Sequence, residues 1–198
     1  MVGALGAAAG AQGGSGPAPV GPGAFAVPGV SVVTFGEVPV GTTTPFTIAG
    51  ATFGGLGALV TDPLGGLADP PSISGGPLLY SMSVGNDDAI EVNFARAQRM
   101  VGAYFNILGD PTLSGQIVLE FYNGDSLLGV LPAVPIPGTF GGFIGGDAGA
   151  AVITRVIFRD TDTSAPVSFR IDDLMFVPAP GAAGVLVLLG AAAFRRRR

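Results

Sequence analysis

An antiparallel β-sandwich, jelly-roll-like, is the all-β architecture this sequence predicts, and three observations predict it. Apolar and polar residues alternate over short runs, the period of a strand with one buried face. Turn-forming residues recur roughly every 8 to 12 positions, the spacing of sandwiches and barrels. Glycine (34) and proline (17) make up about a quarter of the 198 residues, yet 48% of the chain is hydrophobic. That apolar content can fill a core and argues against a disordered chain. The same glycines and prolines argue against long helices.

The elements follow in order. Residues 1–29 are a low-complexity Gly/Ala/Pro segment, expected to be disordered. Within it, residues 2–11 read as the end of a signal-peptide h-region, with Ala9-Gly10-Ala11 as an Ala-x-Ala cleavage site. The first basic residue is Arg96, so the charged start of such a signal is expected upstream. The sandwich domain is expected over residues 30–176. Residues 30–35 (VSVVTF) are dense in β-branched side chains and form its first strand. Residues 46–53 (FTIAGATF) alternate and then kink at Gly50. Residues 54–77 are Gly/Pro-rich loop with a short strand near 58–60. Residues 78–84 (LLYSMSV) and 89–94 (AIEVNF) are strands, joined by the turn Gly85-Asn86-Asp87-Asp88. Residues 99–108 (RMVGAYFNIL) put Val101, Ala103, Phe105 and Ile107 on one face. Residues 116–122 (QIVLEFY) do the same with Ile117, Leu119 and Phe121, and Asn123-Gly124-Asp125 turns the chain back into residues 127–131. Residues 139–144 are a weak strand between glycines. Residues 152–158 (VITRVIF) and 167–177 (VSFRIDDLMFV) are strong strands. About nine strands favour a jelly roll among the sandwiches.

The missing residue types exclude whole chemistries. There is no His, no Cys, no Trp and no Lys. Ser-His-Asp catalysis, thiol nucleophiles, Schiff bases and the usual zinc and haem ligands are therefore absent. Net charge is −5; with the four terminal arginines set aside, 14 acidic residues face five arginines, a net −9. A body that acidic repels nucleic acid.

Two sets of residues stand out as candidate sites. Along residues 167–177 the apolar positions step by two through Val167, Phe169 and Ile171, and then by three to Leu174. Either a bulge sits at Asp172-Asp173 or one of these carboxylates points inward. A buried carboxylate needs a partner, and Arg99, Arg155, Arg159, Arg170 or a Ca²⁺ ion are the alternatives. Tyr104 and Tyr122 both lie opposite the aliphatic faces of their strands, where they can form a sugar-stacking platform or simply pack. Glu91 and Glu120 lie on faces opposite Ile90 and Leu119 and point to solvent; nothing in the pattern turns them into the two facing carboxylates of a glycosidase.

The end of the chain is of another kind. Val177, Pro178, Ala179 and Pro180 make a rigid extended stop, because proline locks φ and removes a donor. An apolar run follows from Ala182 through Val185, Leu186, Val187, Leu188 and Leu189 to Phe194, and Arg195, Arg196, Arg197 and Arg198 close the chain. As a helix, residues 182–194 span roughly 20 Å, short of the ~30 Å hydrocarbon core, a gap that snorkelling arginines can narrow. The basic end marks the cytoplasmic side.

This three-part tail resembles the PEP-CTERM sorting signal of Gram-negative bacteria. Val177, Pro178 and Pro180 match its Val-Pro-Glu-Pro-like motif, and Ala179 replaces the usual Glu. The resemblance implies export, transient anchoring in the inner membrane by the C-terminal helix, and recognition by an exosortase-type membrane protease. Release to the cell surface or extracellular matrix would follow, with exopolysaccharide as a possible partner. The body resembles one common among proteins carrying this tail, through Thr34-Phe35-Gly36-Glu37-Val38-Pro39-Val40-Gly41, Gly50-Ala51-Thr52-Phe53 and Ile171-Asp172-Asp173-Leu174-Met175-Phe176. That resemblance implies a lectin-like or carbohydrate-module-like sandwich, with a structural Ca²⁺ between Glu37 and Asp172 or Asp173. The expected function is a non-catalytic surface or matrix protein that binds polysaccharide. A secreted jelly-roll hydrolase and a purely structural envelope protein are the alternatives.

Overall fold

The computed structural model describes residues 16–55, 58–61, 76–81, 89–107, 116–136, 139, 141–149, 152–161 and 168–178. Residues 1–15, the turn at 85–88 and residues 179–198, with the expected C-terminal helix, lie outside the described residues. The described chain is all-β and its strand pairs are antiparallel. The strands are β1 (Ala18–Pro19), β2 (Ser31–Val33), β3 (Phe46–Ile48), β4 (Ala51–Gly54), β5 (Leu59–Thr61), β6 (Leu78–Tyr80) and β7 (Ala89–Ile107). After them come β8 (Ile117–Asn123), β9 (Ser126–Pro132), β10 (Val134–Pro135), β11 (Gly141–Asp147), β12 (Ile153–Asp160) and β13 (Phe169–Pro178).

One strand joins the whole. β7 runs for 19 residues. Its first half pairs β12 on one side and β4 on the other, and its second half pairs β11 and β13. It therefore belongs to two layers. The first layer runs β3-β4-β7-β12-β8-β9, and the second runs β5-β6-β13-β7-β11, with β2 on β13 and with β1 and β10 on β11. The sequence reads as two strands here, 89–94 and 99–108, because Ala95-Arg96-Ala97 breaks the alternation. That stretch holds no Gly or Pro, so the chain stays extended and bends instead of turning. The bend is a large irregularity in the ladder: from Asn93 to Gln98 in β7 stands opposite only Ile153 to Arg155 in β12.

The two layers close on one core. Ile90, Val92 and Phe94 of β7, Phe121 of β8 and Phe158 of β12 meet Phe105, Ile107, Phe169 and Leu174 from the other layer in a single apolar cluster. Burying side chains of this size is the main favourable term in the fold, about 1.5–3 kcal/mol each. β8 shows the alternation plainly, with Ile117, Leu119 and Phe121 inward and Val118, Glu120 and Tyr122 outward. Its hairpin to β9 uses two residues, Gly124-Asp125, one fewer than the sequence suggests; Gly124 takes φ +57 at the first central position.

β11 is a full strand despite four glycines, because rings from its neighbours fill the space their side chains would occupy. A Cβ on Gly102 of β7 would meet the Phe143 ring at 2.7 Å and the Ile144 carbonyl oxygen at 3.0 Å. A Cβ on Gly142 would fall 2.1 Å from the Val134 carbonyl oxygen. The glycines let an aromatic lie flat across the ladder.

Residues 16–29 take on structure where their composition reads as linker. A Cβ on Gly129 of β9 would strike the Pro17 ring, so the segment starts against that edge strand. Ala18 and Pro19 then pair with Asp147 and Gly146 of β11, and the Val20 amide donates to the Gly145 carbonyl (3.0 Å). A 3-10 turn at Pro22–Phe25 follows, and β2 pairs with β13. The segment is thus a strap across the outward side of the second layer. Phe25 anchors it, 3% exposed, in a cluster with Met100, Tyr104 and Phe143. Pattern reasoning misses the strap because its one large apolar anchor is surrounded by Gly, Ala and Pro.

Candidate functional site

The outward side of the first layer carries no such strap. Two cross-strand rows define it. Thr52, Asn93, Arg155, Tyr122 and Leu127 stand opposite one another on β4, β7, β12, β8 and β9. The next row holds Glu91, Ile157, Glu120 and Val130. On β7, β12 and β8 the named residues are two positions apart and so share a face; on β9 a register shift separates Leu127 from Val130 by three. Ile157, 8% exposed, forms the apolar floor between the two glutamates.

Polar groups tie this face together. The Tyr122 hydroxyl donates to Glu120 Oε2 at 2.8 Å. The Arg155 guanidinium lies 4.4 Å from the Tyr122 ring centroid, a cation–π contact. Arg159 Nε sits 3.5 Å from Glu120 Oε1. Asn93 Nδ2 donates to Glu91 Oε1 at 2.7 Å, and Arg155 Nη1 lies 4.0 Å from the same oxygen. Arg155 Nη2 is 3.9 Å from Asp125 Oδ1 at the fully exposed hairpin tip. The hydrogen bond to Glu120 raises the Tyr122 phenol above its ordinary value, with burial and the Glu120 charge adding to it and the two arginines opposing. The phenol thus stays a donor at neutral pH.

This arrangement is a nearly neutral, hydrogen-bonding platform with one ring in it. Three carboxylates meet two guanidiniums, so the face has no strong pull on either a polyanion or a polycation. Its two glutamates are set apart by an intervening strand. Glu91 and Glu120 stand two strands apart, roughly 10 Å by strand spacing. Ile157 fills the place between them, and each is held by its own neighbours. A glycosidase needs its two carboxyls facing one cleft with room for a sugar and a water.

The structure separates the two tyrosines that sequence pattern groups together. Tyr122 lies on this open face. Tyr104 lies under the strap, 6% exposed, edge-on to Phe143 with centroids 5.1 Å apart, so it is a packing residue and not half of a shared platform. Asp172 and Asp173 sit at a bulge: Asp172 pairs with Tyr104 but Met175 with Gly102. Asp172 Oδ1 accepts from the Asp173 amide at 2.8 Å, and Asp173 takes φ +47, a left-handed conformation that Asp tolerates. Both are buried, and Arg170, two residues earlier on the same side, is buried with them. Glu37 is exposed. Among the described residues no group of three or more acidic side chains is placed to hold a metal ion. Val177 and Pro178 form the end of β13, paired with Met100 and Gln98, while Ala179 and Pro180 lie outside the described residues. The anchor residues Ala182 to Phe194 and Arg195 to Arg198 also lie outside them. Among the described residues no helix is long and apolar enough to cross a membrane.

Arg155 was not legible as a partner of Tyr122, nor Arg159 of Glu120, nor Asn93 of Glu91. The signal was there, since Arg155, Ile157 and Arg159 alternate along β12, but only the ladder register shows which neighbours they reach.

No protein-family model matches the chain, and no curated protein matches it. Solved structures resemble it over about three-quarters of its length. A cleaved adhesin domain of Lys-gingipain is 15% identical, with 75% of this chain and 99% of that one covered and a TM-score of 0.48. A second cleaved adhesin domain of Lys-gingipain, from Porphyromonas gingivalis, is 13% identical, with 75% and 98% covered and a TM-score of 0.39. A mutant of the family 29 carbohydrate-binding module CBM29-2 is 10% identical, with 74% and 90% covered and a TM-score of 0.41. At these levels the likenesses assign no function.

Proposed function

We propose that this protein is a non-catalytic binding module whose open first-layer face holds polysaccharide. The observation that carries the reading is Tyr122, set in a flat face by Glu120 and Arg155 and bordered by further donors and acceptors. A sugar ring offers hydroxyls to such groups and an apolar C–H face to an aromatic, and a near-neutral platform suits it better than a strongly charged polymer. In the same proposal the jelly-roll-like body is exported, and its tail directs transient anchoring and exosortase-type processing before release to the surface or matrix. The support for sorting is the order of the tail: two prolines, an apolar run and four arginines.

A glycan array probed with the folded protein tests the binding half. Retention of some polysaccharides by the native chain, lost in Tyr122→Ala and in Arg155→Ala but kept in Tyr104→Phe, supports the face. Equal loss in all three, or no retention at all, removes it and leaves a structural envelope protein. Cell fractionation with mass spectrometry of the mature C-terminus tests the sorting half. A secreted product still ending in Arg198 would refute cleavage.

A further inference from the structure

The tip of the β8–β9 hairpin carries a chemically labile pair. Asn123 is followed by Gly124, and both are exposed. An asparagine side chain is attacked at its carbonyl carbon by the backbone nitrogen of the next residue. Glycine hinders that approach least, because it has no Cβ and turns freely. The other three asparagines, Asn86, Asn93 and Asn106, precede Asp87, Phe94 and Ile107. The space around Gly124 is open as well, since a Cβ built there would have no neighbour within 4 Å. Sequence and exposure therefore mark Asn123 as the asparagine that deamidates first.

The fold opposes that reaction through one side chain. Asn123 pairs with Ser126 and closes the turn, and Gly124 takes φ +57. The Gly124 amide, the nucleophile of the reaction, donates to Thr154 Oγ1 at 2.7 Å. The same hydroxyl donates to the Tyr122 carbonyl oxygen at 3.4 Å. Thr154, half-buried on β12, thus bridges the residues on either side of Asn123. Ring closure requires the Gly124 nitrogen to lose its proton and swing onto the Asn123 side chain. Both movements first break the hydrogen bond to Thr154.

We propose that Asn123 is a site of spontaneous covalent modification and that Thr154 guards it. In the step, a bond forms between the Gly124 nitrogen and Asn123 Cγ, and the Cγ–Nδ2 bond breaks. The amide proton leaves with the side-chain nitrogen as ammonia, and a succinimide remains. Water then opens either ring carbonyl, giving Asp or isoaspartate at position 123. Either product puts a new carboxylate at the hairpin tip beside Asp125, whose Oδ1 is 3.9 Å from Arg155 Nη2. Isoaspartate also adds a backbone atom to a hairpin whose register leaves two residues for the turn. The proposal is independent of sugar binding, since it concerns the chain's own chemistry.

The test is incubation of the full chain in mildly alkaline buffer, with peptide mass spectrometry following conversion of Asn123 to Asp and isoaspartate. Conversion should be slow in the native chain and fastest in the native chain unfolded by urea, where Asn123 should react ahead of the other asparagines. Thr154→Val removes the hydroxyl and should speed conversion of the folded protein by about fivefold, the rate equivalent of one ordinary hydrogen bond. Thr154→Ser keeps the hydroxyl and should match the native chain. Amide hydrogen exchange at Gly124 should rise in Thr154→Val while the rest of β8 and β12 stays protected; a rise along both strands would make Thr154 a merely structural residue and overturn the guard. Equal conversion in the native chain and Thr154→Val, or equal acceleration in Thr154→Ser and Thr154→Val, also overturns it. Another asparagine reacting ahead of Asn123 in urea overturns the site. If Thr154→Val does not fold, exchange at Gly124 in the native chain decides: protection supports the guard, and exchange at the unfolded rate refutes it.

Discussion

The two tyrosines compare the two outward faces of the sandwich. Tyr104 and Tyr122 occupy equivalent places in the sequence, each opposite an aliphatic row. In the fold one is sealed beneath Phe25 and the strap, and the other lies in the open with Arg155 across its ring. Strand alternation tells which side of a strand a residue is on. Whether that side meets solvent depends on a segment far away in the chain, here residues 16–29. The covered face is built for cohesion, through close ring contacts over glycines. The open face is built from pairs of polar groups that satisfy one another and still offer lone pairs and donors outward.

The largest expected effect breaks the comparison by uncovering the second face. Phe25→Ala removes the anchor of the strap, and loss of a buried Phe side chain costs about 3–5 kcal/mol. Urea unfolding should show that loss, and acrylamide should then quench Tyr104 in the remaining native protein. A stability loss below about 1 kcal/mol would mean that the strap is not a structural cover. Next in size is Gly102→Ala, whose methyl must displace Phe143 or the Ile144 carbonyl; overpacking of this kind costs about 1–3 kcal/mol. A neutral thermal melt for this variant would contradict the close packing described for that face.

Substitutions on the open face should be mild. Tyr122→Phe removes one partly exposed hydrogen bond to Glu120, for a loss of about 1 kcal/mol or less. The smallest effect sits at the edge between the faces. Arg99 binds Asp147 through two hydrogen bonds of 3.1 and 2.8 Å. The hydrogen bond from Arg99 holds the Asp147 carboxyl below the usual carboxylate range, against the opposing effect of burial. A carboxyl whose pKa is lower folded than unfolded adds stability above its unfolded value, about 3.9, and loses it as pH falls through the folded value. Asp147→Asn should therefore be slightly less stable than the native chain at pH 7, and the difference should shrink below about pH 4 and in high salt. A difference that grows in acid would reverse the assignment.

Much of the fold was legible. The cores of β8, β12 and β13 follow from Ile117-Leu119-Phe121, Val156-Phe158 and Phe169-Ile171, and the step of three to Leu174 marks an irregularity at Asp172 without saying whether it is a bulge or a buried carboxylate. The continuity of β7 was not, because a break in alternation at Ala95-Arg96-Ala97 looks the same for a turn and for a bend. Half of the site was legible, in the outward direction of Tyr122 and Glu120. The other half was not, because Arg155 and Asn93 reach it through a ladder register that no local pattern encodes.

The central claim is that the open face binds a sugar polymer through Tyr122. Affinity gel electrophoresis in gels cast with soluble polysaccharides tests it directly, using the native protein and Tyr122→Ala after both are shown to melt within a few degrees of each other. The account predicts that at least one polysaccharide retards the native chain and leaves Tyr122→Ala at its control mobility. Equal retardation of the two proteins would contradict it.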